Sequence, residues 1–172
     1  MALREVVQFP DPRLKKVSEP IPEVTDEIRD LARDMIDVMY DEPGIGLAAP
    51  QVGASVRMFV IDTDWTEEGN DKNPTVVINP ELSEMEGKIT WEEGCLSVPD
   101  YQANVDRSAT LTLRGTDLEG NPIEEHAEGL RAVCIQHEFD HLDGILFIDR
   151  ISRLKRNLYV KKRKKQLAAE QA

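Results

Sequence analysis

Apolar residues recur at helical spacing in a segment near the start of the chain, residues 26–41. Four of them fall three or four positions apart: Ile28, Leu31, Met35 and Met39. That spacing puts them on one face of a helix. Thr25 is placed to cap the helix, while Pro43 and Gly44 are placed to end it. The pattern therefore predicts an amphipathic helix over this segment.

The middle of the chain consists of short β-branched or apolar segments separated by turn residues. These segments predict strands at residues 6–9, 56–62, 76–79, 110–114 and 123–126. The last two flank a turn at residues 117–121, and this arrangement predicts a hairpin. Residues 63–74 are polar, so we expect an exposed loop there.

A second helical stripe follows the hairpin and includes two histidines. Its members fall at positions i, i+3, i+4, i+7 and i+11: Leu130, Val133, Cys134, His137 and His141. Their apolar neighbours predict that both histidines face the core. Gly144 is placed to end this helix. Ser152 is placed to start a last helix, which Leu154, Leu158 and Val160 would dock on the body.

These elements predict an α+β fold of short, mostly antiparallel strands packed around the helix at residues 129–142, with an N-terminal and a C-terminal helix. A chain of 172 residues fits one domain. Residues 1–150 would form the body, and residues 151–172 a basic C-terminal helix or tail of the same domain. No apolar run approaches the roughly 18 residues that cross a bilayer, so we expect no membrane partner.

The cysteines and the N-terminus predict a cytoplasmic protein. Only Cys95 and Cys134 are present, which makes a disulfide framework improbable. The first residues lack the apolar segment of a secretion signal.

Charge is distributed unevenly, although the net charge of −12 does not show it. Nine of the 21 Lys and Arg residues lie between Arg150 and Lys165, where no Asp or Glu occurs, which leaves 12 basic residues against 33 acidic ones elsewhere. This basic tail is either a solvated helix face or a surface that binds an anionic partner.

The residues from His137 to His141, His-Glu-Phe-Asp-His, carry the most specific chemical signal. Two histidines four positions apart stack on one helix face, where both imidazoles can bind one metal ion. Glu138 lies between them and can carry a proton. The alternative is a charged, solvent-facing stretch of helix. The apolar stripe on the same face favours the metal.

A hydrolytic metal needs three protein ligands and an open position. The only glutamate beyond His141 is Glu170, and His126 lies in the predicted hairpin, too close in sequence to reach the helix face easily. Cys95 is the better candidate, because Gly94 before it lets the backbone approach closely. A cysteine there can equally be a small buried hydrophobe.

Three segments, in this order, resemble the motifs of the peptide deformylase family. They are Gly44-Ile45-Gly46-Leu47-Ala48-Ala49-Pro50-Gln51, Glu93-Gly94-Cys95-Leu96-Ser97 and Gln136-His137-Glu138-Phe139-Asp140-His141. Each is weak alone, but together at these separations they are specific. The resemblance covers essentially the whole chain. It implies a catalytic domain over residues 1–150 that removes the N-formyl group from the formylmethionine of newly synthesised polypeptides and releases formate.

The resemblance implies that Cys95, His137 and His141 bind one divalent metal ion, with water as the fourth ligand. Family members use Fe²⁺ natively and accept Ni²⁺, Co²⁺ or Zn²⁺. Two imidazoles and a thiolate suit several first-row ions, so the sequence does not choose among them.

The resemblance also assigns catalytic roles. Glu138 would take a proton from water and deliver it to the leaving amine, the alternative being a surface charge. The Gln51 side chain and the Leu96 backbone N–H would stabilise the oxyanion. Arg107 is expected to form a salt bridge, to Glu93 or Asp140, or to contact substrate.

The substrate pocket is expected to combine a glycine-rich edge with an apolar wall for methionine. Its predicted members are Gly44, Ile45, Gly46, Trp91, Glu93, Gly94, Leu130, Val133 and Cys134. The apolar members could instead be ordinary core. Where many bacterial relatives carry a basic residue, this chain has Gln102, which weakens the expectation of a charge contact to the substrate backbone there.

The tail gains a possible role from this function, because the ribosome presents polyanionic RNA next to emerging chains. The predicted contacts are Arg153, Lys155, Arg156, Lys161, Lys162, Arg163, Lys164 and Lys165. We expect a monomer. The rival functions are another metallohydrolase such as a peptidase, a noncatalytic binding module and a zinc-stapled structural domain.

Overall fold

The structure is a computed structural model, and it describes residues 3–69 and 71–171. Its three α-helices are α1 (Asp26–Asp41), α2 (Gly129–Leu142) and α3 (Arg153–Glu170). Its seven strands are β1 (Gly46–Ala48), β2 (Met58–Ile61), β3 (Thr75–Glu86), β4 (Ile89–Cys95), β5 (Val98–Arg107), β6 (Thr110–Thr116) and β7 (Pro122–Glu128). These strands pair antiparallel, which confirms the predicted α+β class. Among the described helices, none is long and apolar enough to cross a membrane.

The strands form two sheets. The larger has the order β1-β2-β3-β6-β7, and the smaller pairs β4 with β5. The predicted hairpin is confirmed as β6 and β7. Strand β1 lies at an edge of the larger sheet, and within the described chain β4 pairs on one side only.

Helices α1 and α2 cover opposite faces of the larger sheet at β1 and β2. Leu47 and Val60 pack in the cluster that contains α1, whereas Ala48 and Ile61 pack in the cluster that contains α2. Successive side chains of a strand point to opposite faces, so a strand covered on both sides is apolar throughout. All four residues of β2 are accordingly buried.

Helix α2 is held at its C-terminal end by the N-terminal part of the chain. The Ser18 N–H donates to the Leu142 carbonyl at 2.8 Å. Gly144 follows in the left-handed conformation, with φ of 74°, and a Cβ there would collide with the Lys15 backbone. The predicted glycine stop is therefore confirmed, and only glycine fits it.

The predicted strand at residues 6–9 is wrong. The Val7 N–H donates to the Gln51 carbonyl at 2.7 Å, and the Phe9 N–H donates to the Ser97 carbonyl at 2.7 Å. Alternate residues thus bond to two different segments, so no single strand ladder forms.

The predicted docking of α3 is also wrong for two of its three residues. Leu154 and Leu158 are 70% and 60% exposed. Tyr159 and Arg163, one turn apart, are the buried residues of this helix, and Val160 packs partly beside them. The helix meets the body along a narrow line, so Leu154 and Leu158 are rotated into solvent.

Candidate active site

Three candidate metal ligands converge where β4 ends against α2. Cys95 is the last residue of β4, and His137 and His141 lie one turn apart on α2. One ligand atom from each lies within 4.8 Å of the others. His141 Nε2 is 3.4 Å from Cys95 Sγ and 3.3 Å from His137 Nε2. A thiolate and two imidazoles form a donor set that suits a first-row divalent ion, so these residues fit a metal site.

His126, the third histidine of the chain, lies elsewhere. It is on β7, and its Nδ1 is 3.2 Å from Thr112 Oγ1 on the neighbouring strand. Its exclusion from the metal site is consistent with that position.

A buried ionic network orients His137. Its Nδ1 is 2.9 Å from Glu93 Oε1, and the Arg107 guanidinium donates to both oxygens of Glu93 at 2.8 Å. Arg107 also pairs with Asp140, which in turn pairs with Arg150. The predicted salt bridge of Arg107 therefore forms with both candidate carboxylates, which fixes the ring of a metal-binding histidine.

Glu93 lines the cleft, and its predicted contact with substrate stays a prediction, but its carboxylate is bonded to two neighbouring side chains. Both of its carboxylate oxygens are taken by Arg107 and His137, and the residue is only 5% exposed. Burial alone would raise the pKa of Glu93, but the hydrogen bonds from Arg107 and His137 lower it to about 2. The structure gives Glu93 the role of holding a histidine.

Glu138 is a buried carboxylate beside the metal ligands. It is 4% exposed, and its Oε1 has no hydrogen-bond partner among the described residues. Burial raises the pKa of Glu138 to about 7, the range in which a carboxyl group can both take and give a proton. Burial also lowers the pKa of His141, which keeps that imidazole in the neutral form that binds metals.

Gln51 is fixed with its amide nitrogen directed at the metal ligands. Its Oε1 accepts from the Ala48 N–H at 3.0 Å, while its Nε2 donates to Ser97 Oγ at 3.1 Å and lies 3.5 Å from Cys95 Sγ. Leu96 lies between Cys95 and Ser97 in the tight connection from β4 to β5. Ser97, fully buried, was missed as a site residue, although it belongs to the second motif.

A cleft of about 620 Å³ opens beside these residues. Its lining includes every predicted pocket residue: Gly44, Ile45, Gly46, Trp91, Glu93, Gly94, Leu130, Val133 and Cys134. Sequence reasoning missed several others that also line it, among them Val98, Asp100 and Tyr101. The cleft is lined by residues of β1, β4, β5 and α2, and β1 is an edge strand of the larger sheet.

Gly46 brings β1 close to α2. A Cβ at this position would lie 2.5 Å from Glu138 Oε2 and 2.9 Å from Cys134 Sγ. Any other residue would therefore displace the carboxylate. The Cys134 thiol is buried and lies 3.5 Å from the Ile45 carbonyl, so this cysteine packs the cleft wall.

The comparisons with known proteins agree with this geometry. The sequence model of the family described as polypeptide deformylase matches residues 3–157. A peptide deformylase from Rhodopseudomonas palustris is 52% identical over 163 residues, covering 94% of this chain and 93% of that protein. One from Brucella suis is 49% identical over 173 residues, covering 100% of this chain and 97% of that protein.

Solved structures share the fold. The crystal structure of a peptide deformylase from Legionella pneumophila superposes with a TM-score of 0.88 at 42% identity, covering 98% of each chain. The chain therefore belongs to the polypeptide deformylase family, the metal-dependent hydrolases that remove the N-formyl group from nascent peptides.

Proposed function

We propose that this chain performs deformylation with Cys95, His137 and His141 as metal ligands and Glu138 as the proton carrier. One observation carries the proposal. One carboxylate oxygen of Glu138 has no hydrogen-bond partner in the part of the chain that the structure describes, and it is buried beside three converging metal-ligating atoms on the wall of a peptide-sized cleft.

The proposed native metal is Fe²⁺, with Zn²⁺, Ni²⁺ or Co²⁺ able to replace it in a purified sample. A divalent ion supplies Lewis-acid chemistry, which lowers the pKa of water and polarises a carbonyl. The thiolate, the two imidazoles and the buried Glu93 behind His137 fit such an ion.

Glu138 would take the proton from the attacking water and pass it to the leaving amine. A pKa of about 7 suits both transfers at neutral pH, because the group is neither a strong acid nor a strong base. Gly46 leaves room for the carboxylate beside the bound formyl group.

Gln51 and the Leu96 backbone N–H would stabilise the oxyanion that forms on the formyl oxygen. The Gln51 amide is oriented before substrate binds, because its oxygen accepts from the Ala48 N–H and its nitrogen donates to the Ser97 hydroxyl. Donors fixed in this way need no reorganisation during the reaction.

The peptide would bind in the cleft as a strand along the β1 edge. The Asp62 N–H donates to the Ile45 carbonyl, so residue 45 faces β2 and the backbone groups of Gly46 face the free edge. Leu130 and Val133 on α2 and Trp91 on β4 provide apolar surface for the methionine side chain.

The direct test is formate release from a formyl-Met peptide by anaerobically purified protein with its metal quantified. We expect formate from the metallated enzyme, and none after chelation. New peptide carboxylates in place of formate would indicate a peptidase, and no product from fully metallated protein would overturn the proposed function.

We also propose a cytoplasmic location and ribosome contact through the exposed basic residues of α3. They are Arg153, Lys155, Lys161, Lys162, Lys164 and Lys165. Arg156, half-buried, pairs with Asp149 and is a weaker candidate. Arg163 was wrongly included, because its guanidinium is buried and donates to the Phe9 carbonyl at 2.9 Å.

Charge reversal tests this contact better than truncation, since truncation would also remove the buried Tyr159 and Arg163. Replacing Lys161, Lys162 and Lys165 with Glu should weaken ribosome sedimentation and reduce its salt dependence. The matched control is the same change at three exposed basic residues elsewhere: Lys16, Arg29 and Arg33. Equal binding by both variants would exclude a specific contact through α3.

A further inference from the structure

The polar segment at residues 63–74 contains an ordered aromatic cluster next to the cleft. The Trp65 ring meets the Tyr40 ring of α1 edge to face, with centroids 4.9 Å apart and planes at 87°. Lys72 Nζ lies 4.8 Å from the Tyr40 centroid and 5.5 Å from that of Trp65. We refer to Tyr40, Asp62, Trp65 and Lys72 as the Trp65 cluster. A polar loop that is exposed to solvent does not require such aromatic and cation–π contacts in order to connect two strands.

Asp62 connects the loop to the sheet. Its side chain is 2% exposed and accepts from the Tyr40 hydroxyl at 2.5 Å and from the Asn73 N–H at 2.8 Å. Its own backbone N–H donates to the Ile45 carbonyl at 2.8 Å. The loop, the end of α1 and the segment before β1 therefore share one hydrogen-bonded residue.

Trp65 reaches the cleft edge directly. Its indole Nε1 donates to the Gly44 carbonyl at 3.0 Å, and the Gly44 N–H donates to the Met39 carbonyl at 2.6 Å. Both backbone groups of Gly44 are thus held by residues outside the cleft. Residues 44–46 form one of its walls.

Pairing with β2 restrains Ile45 and Gly46, but Gly44 precedes β1 and depends on other contacts to be ordered. Glycine loses more conformational freedom on ordering than any other residue, so an unrestrained edge would have to be ordered by each incoming peptide. The Trp65 indole is only half-buried and could donate to water at little cost. It donates instead to the Gly44 carbonyl, at the start of the cleft wall that residues 44–46 form.

We propose that Trp65 is a positioning residue for substrate. Its indole N–H holds the Gly44 carbonyl, so that residues 44–46 are ordered to receive the peptide backbone before it binds. This role rests on the proposed deformylase reaction in the same cleft. Trp65 is not one of the candidate metal ligands and does not line the cleft, so it should affect substrate binding and not the chemical step.

The test is Trp65→Phe, which keeps an aromatic ring against Tyr40 and removes the N–H. With a formyl-Met tripeptide we expect KM to rise about two- to tenfold, the range that one net hydrogen bond gives, with kcat within about twofold of wild type. Tyr40→Phe is the matched control, since it removes the hydroxyl that donates to Asp62 but leaves the indole bond to Gly44 intact. We expect the melting temperature of Tyr40→Phe to fall by about as much as that of Trp65→Phe. Its KM should stay near that of the wild-type enzyme.

An unchanged KM in Trp65→Phe, alongside formate release by wild type, would overturn the positioning role. Absence of formate from wild type would instead overturn the proposed function.

A second measurement needs no variant. In the wild-type enzyme, the Trp65 indole N–H should be protected from hydrogen exchange and become more protected when a methionyl tripeptide, the reaction product, is added. Exchange at the rate of a free indole in both states would equally reject the proposal.

Discussion

Helices α2 and α3 both carry several charged residues, yet they meet the body in opposite ways. Along the fourteen residues of α2 none is exposed, and its Asp140 is paired with Arg107 and Arg150. Along the eighteen residues of α3 only Tyr159 and Arg163 are buried. A charge on α2 is therefore desolvated and specific, whereas most charges on α3 are solvated and interchangeable.

The comparison explains why apolar and charged residues at helical spacing are buried on α2 but mostly exposed on α3. On α2 the apolar stripe is continuous with a core on several sides, so polar residues on it must be paired or used for chemistry. On α3 the contact line is narrow, so leucines can be exposed and an arginine buried. Four changes would break or sharpen this contrast.

The largest effect is expected at Glu138 on α2. Glu138→Gln keeps the shape of the side chain but removes the proton carrier, so kcat should fall about 10²- to 10⁴-fold. Metal content, measured by elemental analysis, should stay at the wild-type level, because Glu138 is not one of the three ligands. A loss below tenfold would remove Glu138 from the reaction.

The next effect concerns the network behind α2. Arg107→Met leaves Glu93 and Asp140 with one fewer buried cation, and should lower the free energy of unfolding by about 3–5 kcal/mol in urea titration. The control on α3 is Arg153→Met, an exposed position that should change it by less than about 0.5 kcal/mol. Equal losses would mean that the two helices do not differ as described.

A smaller effect is expected at Arg163, which is buried on α3 in the way that charged residues of α2 are buried. Arg163→Met removes hydrogen bonds to the Phe9 carbonyl and the Gln8 side chain, so unfolding should cost about 1–3 kcal/mol less. Lys162→Met, at the neighbouring exposed position, is the matched control for the loss of a positive charge. Urea midpoints that do not separate the two variants would contradict the buried role of Arg163.

The smallest effect is a pH dependence just before α3, where Asp149 pairs with Arg156 of that helix. Burial opposes the charge of Asp149, but hydrogen bonds from the Leu146 N–H, Arg156 and Lys15 outweigh it and lower its pKa. A folded pKa below the unfolded value of about 3.9 stabilises the fold above that pH, and this stability is lost as the pH falls through the folded pKa.

Asp149→Asn should therefore lower the melting temperature near neutral pH and converge with wild type as the pH falls below the folded pKa of Asp149. The difference should be under about 1 kcal/mol because the pairs are partly exposed. A constant difference across that range would show that the carboxylate charge contributes nothing.

The pattern of residues close together in the sequence was sufficient to predict much of the fold and of the candidate site. Thr25, whose hydroxyl accepts from the Ile28 N–H, caps α1 where the sequence predicts it, and Ser152 caps α3 in the same way. His137 and His141 are brought together by helical periodicity alone. Cys95 was identified by its motif, although no spacing rule places it beside the histidines.

Other features depended on contacts between distant segments. Residues 6–9 have the composition of a strand, but their hydrogen bonds go to Gln51 and Ser97. Nothing near Trp65 in the sequence indicates that its indole bonds to the Gly44 carbonyl. Ser97, which orients the amide of Gln51, was missed for the same reason.

The sequence by itself determined the helices, the hairpin, the histidine pair and the family, because these follow from residues close together in the chain or from contiguous motifs. Only the tertiary structure decided that Glu93 holds His137 and that Arg163 is buried while Leu154 is exposed. It also decided that the Trp65 indole bonds to the Gly44 carbonyl at the cleft wall. The reason is physical: which face of an element is desolvated, and which partner a polar group finds, depends on surfaces that meet only after the chain has folded.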